Sequence, residues 1–366
     1  MKNILWLGCI ASSEADLTKT ALSPAADKWQ RSFIEELIEL GYEISVISHL
    51  PCSVWPKGPI WVKGASYISD HLLIKNISYL NLALLRHLWI AIGSLFSMCT
   101  MRFDIKQVIA YNFSAKSLLL FLLARQKRIQ TVLLFADGKR LFWAAQAVVH
   151  FSFSSWHQAD FGSSIRSKQR HILFPPVVDQ YFSSPLESNA NKVLYCTPSG
   201  KPYLLYSGSI NTWTGIIEFI SDFADSKLSL LYDLVVTGSG TIPSSAYNDM
   251  SSAVVYLGFI SKSQLDQIAA SAVGFINPRP CLTLAQQNNF PSKLIYYFSF
   301  DAPVFSSPGS NIHPEFAQVL SFYNTIDEIL EILLDHYYLS SRISHLKLFR
   351  LKYTWHAAVS SVLKGI

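Results

Sequence analysis

Apolar runs of strand length alternate with segments of helical periodicity along almost the whole chain, and this alternation limits the fold more than any other feature of the sequence. In the first half, the runs predicted to be strands are Ile4–Ile10, Glu43–Ser48, Val108–Tyr111, Thr131–Phe135 and Ala147–Phe153. The alternation of strand-length apolar runs with helix-length segments is typical of a parallel sheet with helices on both faces. The first half is therefore predicted to form an α/β structure with a parallel sheet between helices.

The same alternation restarts after an interruption. Between Phe174 and Gly200 the sequence is rich in proline, serine and asparagine and loses its apolar periodicity, which is typical of a linker. Five further predicted strands follow: Tyr203–Tyr206, Leu234–Val236, Val254–Leu257, Gly274–Ile276 and Val304–Phe305. A chain of 366 residues is longer than a domain with a single hydrophobic core usually is. We therefore predict two Rossmann-like, doubly wound parallel-sheet domains, at residues 1–178 and 179–349.

Composition and charge exclude several classes of protein. Half of the residues are hydrophobic and 15% are charged, as in a folded protein, and the net charge is +5. Because no dense Lys/Arg run with interleaved aromatic residues is present, a nucleic-acid partner is not expected. The cysteines lie far apart without a Cys-x-x-Cys pair, which argues against disulfides or structural zinc and favours the cytoplasm. They are Cys9, Cys52, Cys99, Cys196 and Cys281.

Two apolar segments resemble export or membrane signals. Ile4–Ile10 is about seven residues long, at or below the lower limit of a signal-peptide core, and a buried first strand is the better interpretation. In Ala83–Met101, Arg86 and His87 leave an uncharged run of about fourteen residues, whereas a transmembrane helix needs about twenty. We expect a buried or surface-lying helix there, which leaves peripheral contact with the inner membrane open.

Two glycine-containing turns follow predicted strands of the second domain. Ligands of open parallel sheets bind beyond the carboxyl ends of the strands, against the starts of helices. Gly208 lies in one such turn, although an ordinary strand-to-helix turn is an equally good interpretation. The segment Thr237–Gly240 begins like a dinucleotide fingerprint, but Pro243 stands where the third glycine is required. A nicotinamide or flavin cofactor is therefore not expected.

Two cations stand close to other strand ends and helix starts. Arg279 follows the strand Gly274–Ile276, and after a loop of about ten residues Ser292 and Lys293 begin a predicted helix. A guanidinium, an ammonium and a helix N-terminus that converge are suited to a diphosphate. The alternative interpretation is two solvated surface cations. A further turn, Leu257–Ile260, is able to frame a base with backbone groups and an aromatic ring.

These segments resemble the donor-binding half of glycosyltransferase family 4-like enzymes. Asn277–Pro280 followed by FPSKLIYYFSFDAPVFSS is similar to the group used in capsule, exopolysaccharide and O-antigen assembly. YSGSINTWTGI, VTGSG, YLGFIS, the stretch Ser23–Ser48 and the terminal Tyr353-Thr354-Trp355 match the rest. The resemblance spans roughly residues 1–50 and 170–360. It implies the GT-B fold, in which an acceptor domain and a donor domain face a central cleft, with a final helix, 350–366, packed back on the first domain.

The resemblance assigns the nucleotide sugar to the second domain. Gly208 and Ser209 would approach the diphosphate, Phe259 and Ile260 would approach the base, and the segment around Lys293 would bind the phosphates and the sugar. The full set of candidate donor-binding residues is Gly208, Ser209, Gly238, Phe259, Ile260, Arg279, Pro291, Ser292, Lys293 and Tyr296.

The chain departs from the family pattern at positions that bind phosphate. Relatives commonly carry an arginine just after the first glycine and a lysine near the next helix, where this chain has Ser209 and Thr214. Neutralisation of the diphosphate is therefore expected to fall to Arg279 and Lys293.

A second departure concerns the ribose. Family members often have two glutamates seven residues apart, the later one binding ribose, and the corresponding residues here are Asn288 and Tyr296. A phenol offers one oxygen on a stiffer side chain than a carboxylate. Either Tyr296 makes a different contact, or the donor site is degenerate.

In the first domain, the resemblance implies an acceptor-side loop at Ser23 and Pro24. Asn112 falls near the place where relatives often have a histidine facing the sugar, and Asp137 follows another strand. We take both as candidate catalytic residues, although Asp137 could equally be a loop or helix-start residue. Asn112 cannot act as a general base, so it would position or stabilise the reacting groups.

The resemblance implies sugar transfer with retention of configuration, with the nucleotide-diphosphate sugar as co-substrate and no further cofactor. Because the sequence has no metal-ligand cluster and no Asp-x-Asp, we predict transfer without a metal. The expected acceptor is a glycan, plausibly a lipid-linked oligosaccharide, in bacterial surface polysaccharide biosynthesis. Two alternatives stay open at this point. A degenerate, non-catalytic binding or scaffold subunit is favoured by the loss of both glutamates, and a nucleotide-sugar 2-epimerase would need acid/base carboxylates that the sequence does not offer.

Overall fold

The computed structural model describes residues 2–12, 22–83, 85–101, 104–112, 114–136, 142–163, 169–178, 195–242, 252–280, 283, 286, 291–308 and 312–366. The chain divides into two compact units. Unit 1 comprises Met1–Pro175 and Trp355–Ile366, and unit 2 comprises Pro176–Thr354. The first unit ends at Pro175, next to the predicted boundary at residue 178, and the chain returns to it at Trp355, within the predicted final helix 350–366.

Unit 1 begins with ten strands and four helices among its described residues. The strands are β1 (Lys2–Leu7), β2 (Tyr42–Ser48), β3 (Trp61–Val62), β4 (Ser66–Ser69), β5 (Leu72–Asn76), β6 (Tyr79–Leu80), β7 (Ile105–Tyr111), β8 (Gln130–Phe135), β9 (Ala147–His150) and β10 (Arg170–Leu173). The helices are α1 (Pro24–Glu39), α2 (Leu85–Thr100), α3 (Ala115–Gln126) and α4 (Phe153–Ser163).

Eight of these strands form one sheet in the order β10-β9-β8-β7-β1-β2-β5-β4, and β3 and β6 form a separate antiparallel pair. Every pairing in the large sheet is parallel except that of the edge strand β4 with β5. In β1, Leu5 and Leu7 pack in one cluster with Met98 of α2 and Phe121 of α3. Helices therefore pack against the buried apolar strands, as the composition of these strands predicts.

Unit 2 contains the remaining strands and six helices of the described residues. The strands are β11 (Tyr203–Ser207), β12 (Asp233–Thr237), β13 (Val254–Tyr256), β14 (Gly274–Asn277), β15 (Val304–Ser306) and β16 (Leu320–Phe322). The helices are α5 (Ile216–Ala224), α6 (Leu228–Leu231), α7 (Lys262–Ser271), α8 (Lys293–Tyr297), α9 (Ile326–Leu334) and α10 (His336–Lys352). The last helix of the chain, α11 (Trp355–Gly365), belongs to unit 1.

The six strands of unit 2 form a fully parallel sheet in the order β13-β12-β11-β14-β15-β16. Successive side chains of β11 enter opposite hydrophobic clusters, with Tyr203 and Leu205 on one face and Leu204 and Tyr206 on the other. The sheet is thus buried on both faces, and the predicted doubly wound architecture is confirmed for this unit.

The helix α11 returns to unit 1 and packs against α1. Trp355 lies with its ring centroid 5.4 Å from that of Trp29, and Trp29 also contacts Phe151 at 4.4 Å and Phe174 at 5.2 Å. The imidazole of His356 lies 2.5 Å from the buried carboxylate of Glu36. These contacts make the last twelve residues part of the core of unit 1.

Several elements differ from the sequence prediction. The predicted strand Ala147–Phe153 ends at His150, and Phe153 already begins α4. Helices α9 and α10 are separated at Asp335, whose carboxylate caps α10 by accepting from the backbone N–H of Tyr338 at 2.9 Å. The short strands β3 to β6, β10 and β16 were not predicted. Within the described residues, no helix combines the length and the apolar character that a membrane span requires.

Candidate functional site

The strand order of unit 2 reverses between β11 and β14, because the chain proceeds from β11 to β12 and β13 on one side and later crosses to β14 on the other. In doubly wound sheets ligands bind at this reversal, beyond the carboxyl ends of the strands. The loops that follow β11 and β14 contain Gly208 and Arg279. They are in close backbone contact, since a Cβ on Gly215 would lie 2.1 Å from the carbonyl oxygen of Pro278.

Glycines allow the turns after β11 and β12 to approach each other. Gly208 and Gly238 have φ angles of 150° and 142°, and a Cβ on Gly238 would lie 1.7 Å from the carbonyl oxygen of Gly208. The N–H of Gly208 donates to Thr237 O at 3.0 Å, and the N–H of Gly238 donates to Gly258 O at 2.9 Å. The three turns after β11, β12 and β13 are thus joined in series, which places the predicted residues Gly208, Gly238 and Phe259 along one edge of the sheet.

Lys293 supplies the most informative group of this edge. Its ammonium is buried and has no hydrogen-bond partner within the part of the chain that the structure describes. The Nζ atom lies 4.0 Å from the centroid of the Tyr206 ring and 3.9 Å from where a Cβ on Gly208 would be. Burial, and secondly the charge of Arg279, lower the pKa of Lys293 well below its ordinary value. A buried cation in this state is stabilised by any anion that reaches it.

Arg279 is buried as well, with 9% of its surface exposed. It follows β14 directly, and its positive charge acts on both Lys293 and Tyr206. The interpretation of Arg279 and Lys293 as solvated surface cations therefore does not hold. The charge of Arg279 disfavours the protonated form of Lys293, and an anionic ligand would favour it.

Two tyrosines that sequence reasoning did not assign to the site hold the Gly208 turn. The hydroxyl of Tyr206 donates to Ser209 O at 2.7 Å, and burial raises the pKa of Tyr206 to about 12. The hydroxyl of Tyr297 accepts from the N–H of Ser207 at 2.8 Å and lies 3.1 Å from its carbonyl oxygen. The available signal was an aromatic residue with a polar hydroxyl, Tyr206, directly before the turn that contains Gly208. Both side chains fix the backbone that approaches Lys293.

The remaining predicted donor residues are distributed around this edge. Phe259 is 78% exposed after β13, and Ile260 is partly buried against the core. Pro291 is buried and Ser292 is exposed. The helix α8 does begin at Lys293, but it contains only five residues and Ser292 makes no side-chain cap. Because so short a helix has a weak dipole, attraction of phosphate rests on the side-chain cations rather than on the helix N-terminus.

Tyr296 makes a contact that the sequence could not show. Its hydroxyl donates to Asp266 Oδ1 at 2.9 Å, and burial together with Asp266 raises the pKa of Tyr296. Asp266 lies on α7, where Lys262 also contacts it at 2.6 Å. The residue predicted to stand in place of a glutamate, Tyr296, is therefore a phenol that is hydrogen-bonded to a carboxylate from a different helix. Asn288 lies outside the described residues.

In unit 1, the order of the sheet reverses between β1 and β7. Asn112 follows β7 with a φ of 55°, and its side-chain oxygen accepts from the N–H of Ala136 at 2.9 Å. Asn112 thereby links the ends of β7 and β8, and a part in the reaction stays a prediction. Asp137 lies outside the described residues. Ser23 and Pro24 begin α1, where the Ser23 hydroxyl accepts from Ala26 N at 3.4 Å, and their acceptor role likewise stays a prediction.

A second buried lysine, which the sequence analysis did not single out, lies at the carboxyl ends of β1 and β2. Lys116 of α3 donates to Gly8 O at 2.8 Å and contacts His49 Nδ1 at 3.2 Å. Burial lowers the pKa of Lys116, and burial together with Lys116 lowers the pKa of His49 well below its ordinary value. The thiol of Cys9 lies 3.7 Å from His49 Nδ1. Burial and Lys116 thus disfavour the protonated imidazole of His49, and Lys116 links the end of β1 to that of β2 through its contacts with Gly8 O and Ile47 O.

Comparisons with known proteins identify the fold. No protein-family model and no curated protein matches the sequence. The structure is similar to a sucrose-phosphate synthase of Thermosynechococcus elongatus (TM-score 0.66, 11% identity, 100% of this chain and 98% of that one). It is also similar to WaaG, a glycosyltransferase involved in lipopolysaccharide biosynthesis (0.63, 10%, 98% and 98%), and to Anabaena HepE in complex with UDP and glucose (0.62, 10%, 100% and 100%). The chain therefore has two Rossmann-like domains of the GT-B type.

Proposed function

We propose that the chain is a glycosyltransferase that moves a sugar from a nucleoside diphosphate onto a glycan. The observation that carries this proposal is the buried ammonium of Lys293, which has no hydrogen-bond partner among the described residues and feels the charge of Arg279, at the strand reversal of unit 2. A diphosphate would suit this position, because its negative charge would favour the protonated form of Lys293. Two solved structures of similar fold support the same conclusion. One is described as a glycosyltransferase, and the other contains UDP and glucose.

The diphosphate would lie over the Gly208 turn. Gly208 has no side chain, and a Cβ there would lie 3.4 Å from the Tyr206 hydroxyl and 3.9 Å from the Lys293 ammonium. A side chain at Gly208 would therefore crowd the approach to the cation. Since Ser209 and Thr214 replace the cations that relatives carry, Lys293 and Arg279 would provide the neutralisation, with Ser292 as an additional donor.

The nucleoside would lie beyond β13 and α7. Backbone groups of the turn between Gly258 and Ile260, and the exposed ring of Phe259, would contact the base. The ribose hydroxyls would meet the Tyr296–Asp266 pair instead of a glutamate at position 296. A carboxylate is thus retained near this position, although a different helix supplies it.

The reaction would proceed with retention of configuration and without a metal. The bond between the anomeric carbon and the diphosphate oxygen breaks, and a bond to the acceptor oxygen forms on the same face of the sugar. The leaving diphosphate takes the proton of the acceptor hydroxyl, so that no strong enzymic base is required. Lys293 and Arg279 would stabilise the charge that develops on the leaving group, which is the main electrostatic contribution available here. Asn112 and Asp137 would position the acceptor.

The acceptor is proposed to be a lipid-linked oligosaccharide of bacterial surface polysaccharide assembly, in capsule or O-antigen biosynthesis. The resemblance to family 4-like enzymes and the apolar character of residues 83–103 support this part. The protein would then act in the cytoplasm at the inner membrane, with Ser23 and Pro24 on the acceptor side.

A screen of purified protein with UDP-, GDP- and CMP-sugars tests the proposal, with sugar release or transfer as the readout. Arg279→Ala is expected to weaken binding of the preferred nucleoside diphosphate by about 1.5–3 kcal/mol, measured by titration calorimetry, because a charge-assisted bond to phosphate is lost. Lys227→Ala, an exposed cation of the same unit, is the matched control and should leave the affinity unchanged. An unaltered affinity in Arg279→Ala would remove this residue from the site.

A non-catalytic binding or scaffold subunit is the second candidate, and one observation favours it. The position of the ribose-binding glutamate is held by Tyr296, whose hydroxyl is already bonded to Asp266. If the donor site is degenerate, no nucleotide will raise the melting temperature of the protein and no sugar will be released. Binding of a nucleoside diphosphate without turnover would support a binding subunit, whereas turnover excludes it.

A further inference from the structure

The helix α2 has an unusual distribution of side chains. Its buried side consists of Ile90, Ala91, Ser94, Ser97 and Met98. Its solvent side, which we call the α2 face, consists of Leu85, Leu88, Trp89, Ile92 and Phe96, each between 46% and 68% exposed. A surface helix in water normally turns its polar side chains outwards. The α2 face therefore presents to the surroundings the kind of side chain that a surface helix usually buries.

A neighbouring loop extends the α2 face. The ring of Trp61 lies 5.8 Å from that of Trp89, and Trp55 and Ile60 are half exposed on the same loop. Asn81 anchors this loop just before α2, since its side chain donates to Ser53 O at 2.7 Å and Pro59 O at 3.0 Å. The apolar surface is thus continuous and includes three exposed tryptophans, and contiguous apolar surface of this kind marks an interaction site.

The segment that contains the α2 face is predominantly basic. Between residues 51 and 102 the sequence has five basic residues, Lys57, Lys63, Lys75, Arg86 and Arg102, and one acidic residue, Asp70. The basic helix α10 of unit 2 differs, because Arg350 and Lys352 pair there with Asp301 and Glu315. Arg86 lies on α2, and Lys57 and Lys63 lie close in sequence to Trp55 and Trp61, so these cations are placed to attract an anionic partner.

We infer that the α2 face inserts into the interfacial layer of an anionic lipid bilayer and so docks unit 1 on the membrane. Exposed tryptophans beside leucine, isoleucine and phenylalanine, rimmed by lysine and arginine, are the features that bind helices to lipid surfaces. The sixteen residues of α2 span about 24 Å, less than the roughly 30 Å hydrocarbon core, so the helix lies along the surface. This inference rests on the proposed function, because docking on the membrane would bring the enzyme to its proposed lipid-linked acceptor.

A second copy of the chain is a poorer occupant of the α2 face. A two-fold interface places the same patch of both subunits together. Such a dimer would bring Lys57, Lys63 and Arg86 of one copy next to the same residues of the other, with only Asp70 in this segment to offset them. Anionic lipid headgroups neutralise the same cations.

Flotation of the full-length protein with vesicles tests the inference. Vesicles of phosphatidylcholine alone are compared with vesicles that contain about one third phosphatidylglycerol, at low and high salt. The wild-type protein should float with the anionic vesicles, less so at high salt, and lipids with brominated chains should quench its tryptophan fluorescence. Trp89→Ser/Ile92→Ser/Phe96→Ser should lower the bound fraction at least about tenfold, and Lys57→Glu/Lys63→Glu/Arg86→Glu should abolish the preference for anionic lipid.

The matched control is Leu348→Ser/Leu351→Ser on α10, which removes side chains of 64% and 79% exposure and should leave flotation unchanged. Phe96→Ser alone, at the most exposed position of the α2 face, replaces the triple variant if that variant does not fold. Titration of UDP and GDP into the same samples separates this inference from the proposed function, because nucleotide affinity should be equal in all variants. The inference is overturned if the wild type does not float, if the control loses flotation equally, or if the triple variant only turns a dimer into a monomer.

Discussion

At the scale of single residues, Lys293 is expected to lower the stability of the free protein and to strengthen the binding of a diphosphate. Its ammonium is buried without a hydrogen-bond partner among the described residues, which is unfavourable for the free protein. The same ammonium, next to Arg279, is favourable once a diphosphate arrives. Functional sites commonly retain groups that destabilise the fold in this way.

Lys293→Met is therefore expected to stabilise the free protein and to weaken the binding of nucleoside diphosphate. Methionine fills a similar volume over the Tyr206 ring without a charge, so the free energy of unfolding should rise by about 1–3 kcal/mol, measured by urea denaturation. Calorimetry should show a loss of about 1.5–3 kcal/mol in affinity for UDP or GDP. Lys227→Met, which removes an exposed lysine, should change neither quantity. A Lys293→Met protein that is destabilised and binds normally contradicts this account.

Nucleotide binding should depend on pH through the same residue. The pKa of Lys293 in the free protein lies well below its ordinary value, owing to burial and to Arg279, and a bound diphosphate raises it. Between these two values binding takes up a proton, so affinity should fall as pH rises through this window. Calorimetry in buffers of different ionisation enthalpy measures that uptake, and Lys293→Met should remove it. Equal proton uptake in both proteins would assign the effect to other groups.

The stability of the free protein should change with pH in the opposite direction. A lysine whose folded pKa is lowered binds fewer protons in the folded than in the unfolded state, so stability rises with pH in the interval up to the unfolded value of about 10.4. Below the folded pKa of Lys293 the penalty is complete and constant. Chemical denaturation at several pH values should show this slope in the wild type and a smaller slope in Lys293→Met.

At the scale of elements, the sequence predicted those strands that local apolar runs mark. The long buried strands β1 and β8 each contain four consecutive apolar residues, Ile4–Leu7 and Val132–Phe135, and the parallel pairing of such strands follows from that pattern. The strands β3 and β6 have only two residues each, and β4 is fully exposed, so neither length nor periodicity announces them. Their pairing is set by tertiary contacts rather than by local sequence.

The candidate site was predictable to a similar degree. Gly208, Arg279 and Lys293 could be identified because glycines and cations at strand ends are visible in the sequence. That Lys293 is buried, that Tyr297 holds the backbone of Ser207 and that Tyr296 bonds Asp266 depend on packing between elements far apart in the chain. Local sequence patterns do not show which distant residues will be in contact. The same holds for Lys116, whose role follows only from its contacts with β1 and β2.

The packing of turns against one another provides a test at this scale. In Gly238→Ala, the new Cβ would lie 1.7 Å from the carbonyl oxygen of Gly208, so the turn over Lys293 has to move. We expect a loss of about 1–3 kcal/mol in stability and an affinity for UDP or GDP that is reduced at least roughly tenfold. Gly200→Ala is the matched control, since its φ is also positive, at 73°, but no atom lies within 4 Å of the new Cβ. Gly200→Ala should cost about 1 kcal/mol and leave nucleotide affinity unaltered.

At the scale of the whole molecule, the chain leaves unit 1 at Pro175 and returns to it at Trp355. Residues more than a hundred positions apart therefore share one core, in which Trp29, Phe174 and Trp355 are in contact. The integrity of unit 1 then depends on its last helix, α11, and a change in that helix should be felt in unit 1 although the preceding 179 residues belong to unit 2.

Trp355→Ala tests this dependence. Trp355 is 6% exposed, and its truncation should lower the free energy of unfolding of unit 1 by about 3–5 kcal/mol, equivalent to roughly 6–20 °C in melting temperature. Scanning calorimetry with and without a nucleoside diphosphate identifies the transitions, because the ligand raises only the transition of the unit that binds it. The variant should lower the other transition and leave the ligand-responsive one in place. Leu351→Ala, four residues earlier and 79% exposed, should shift neither. If Trp355→Ala instead lowered the ligand-responsive transition by a similar amount, α11 would belong energetically to unit 2, and the division of the chain at Thr354 would be wrong.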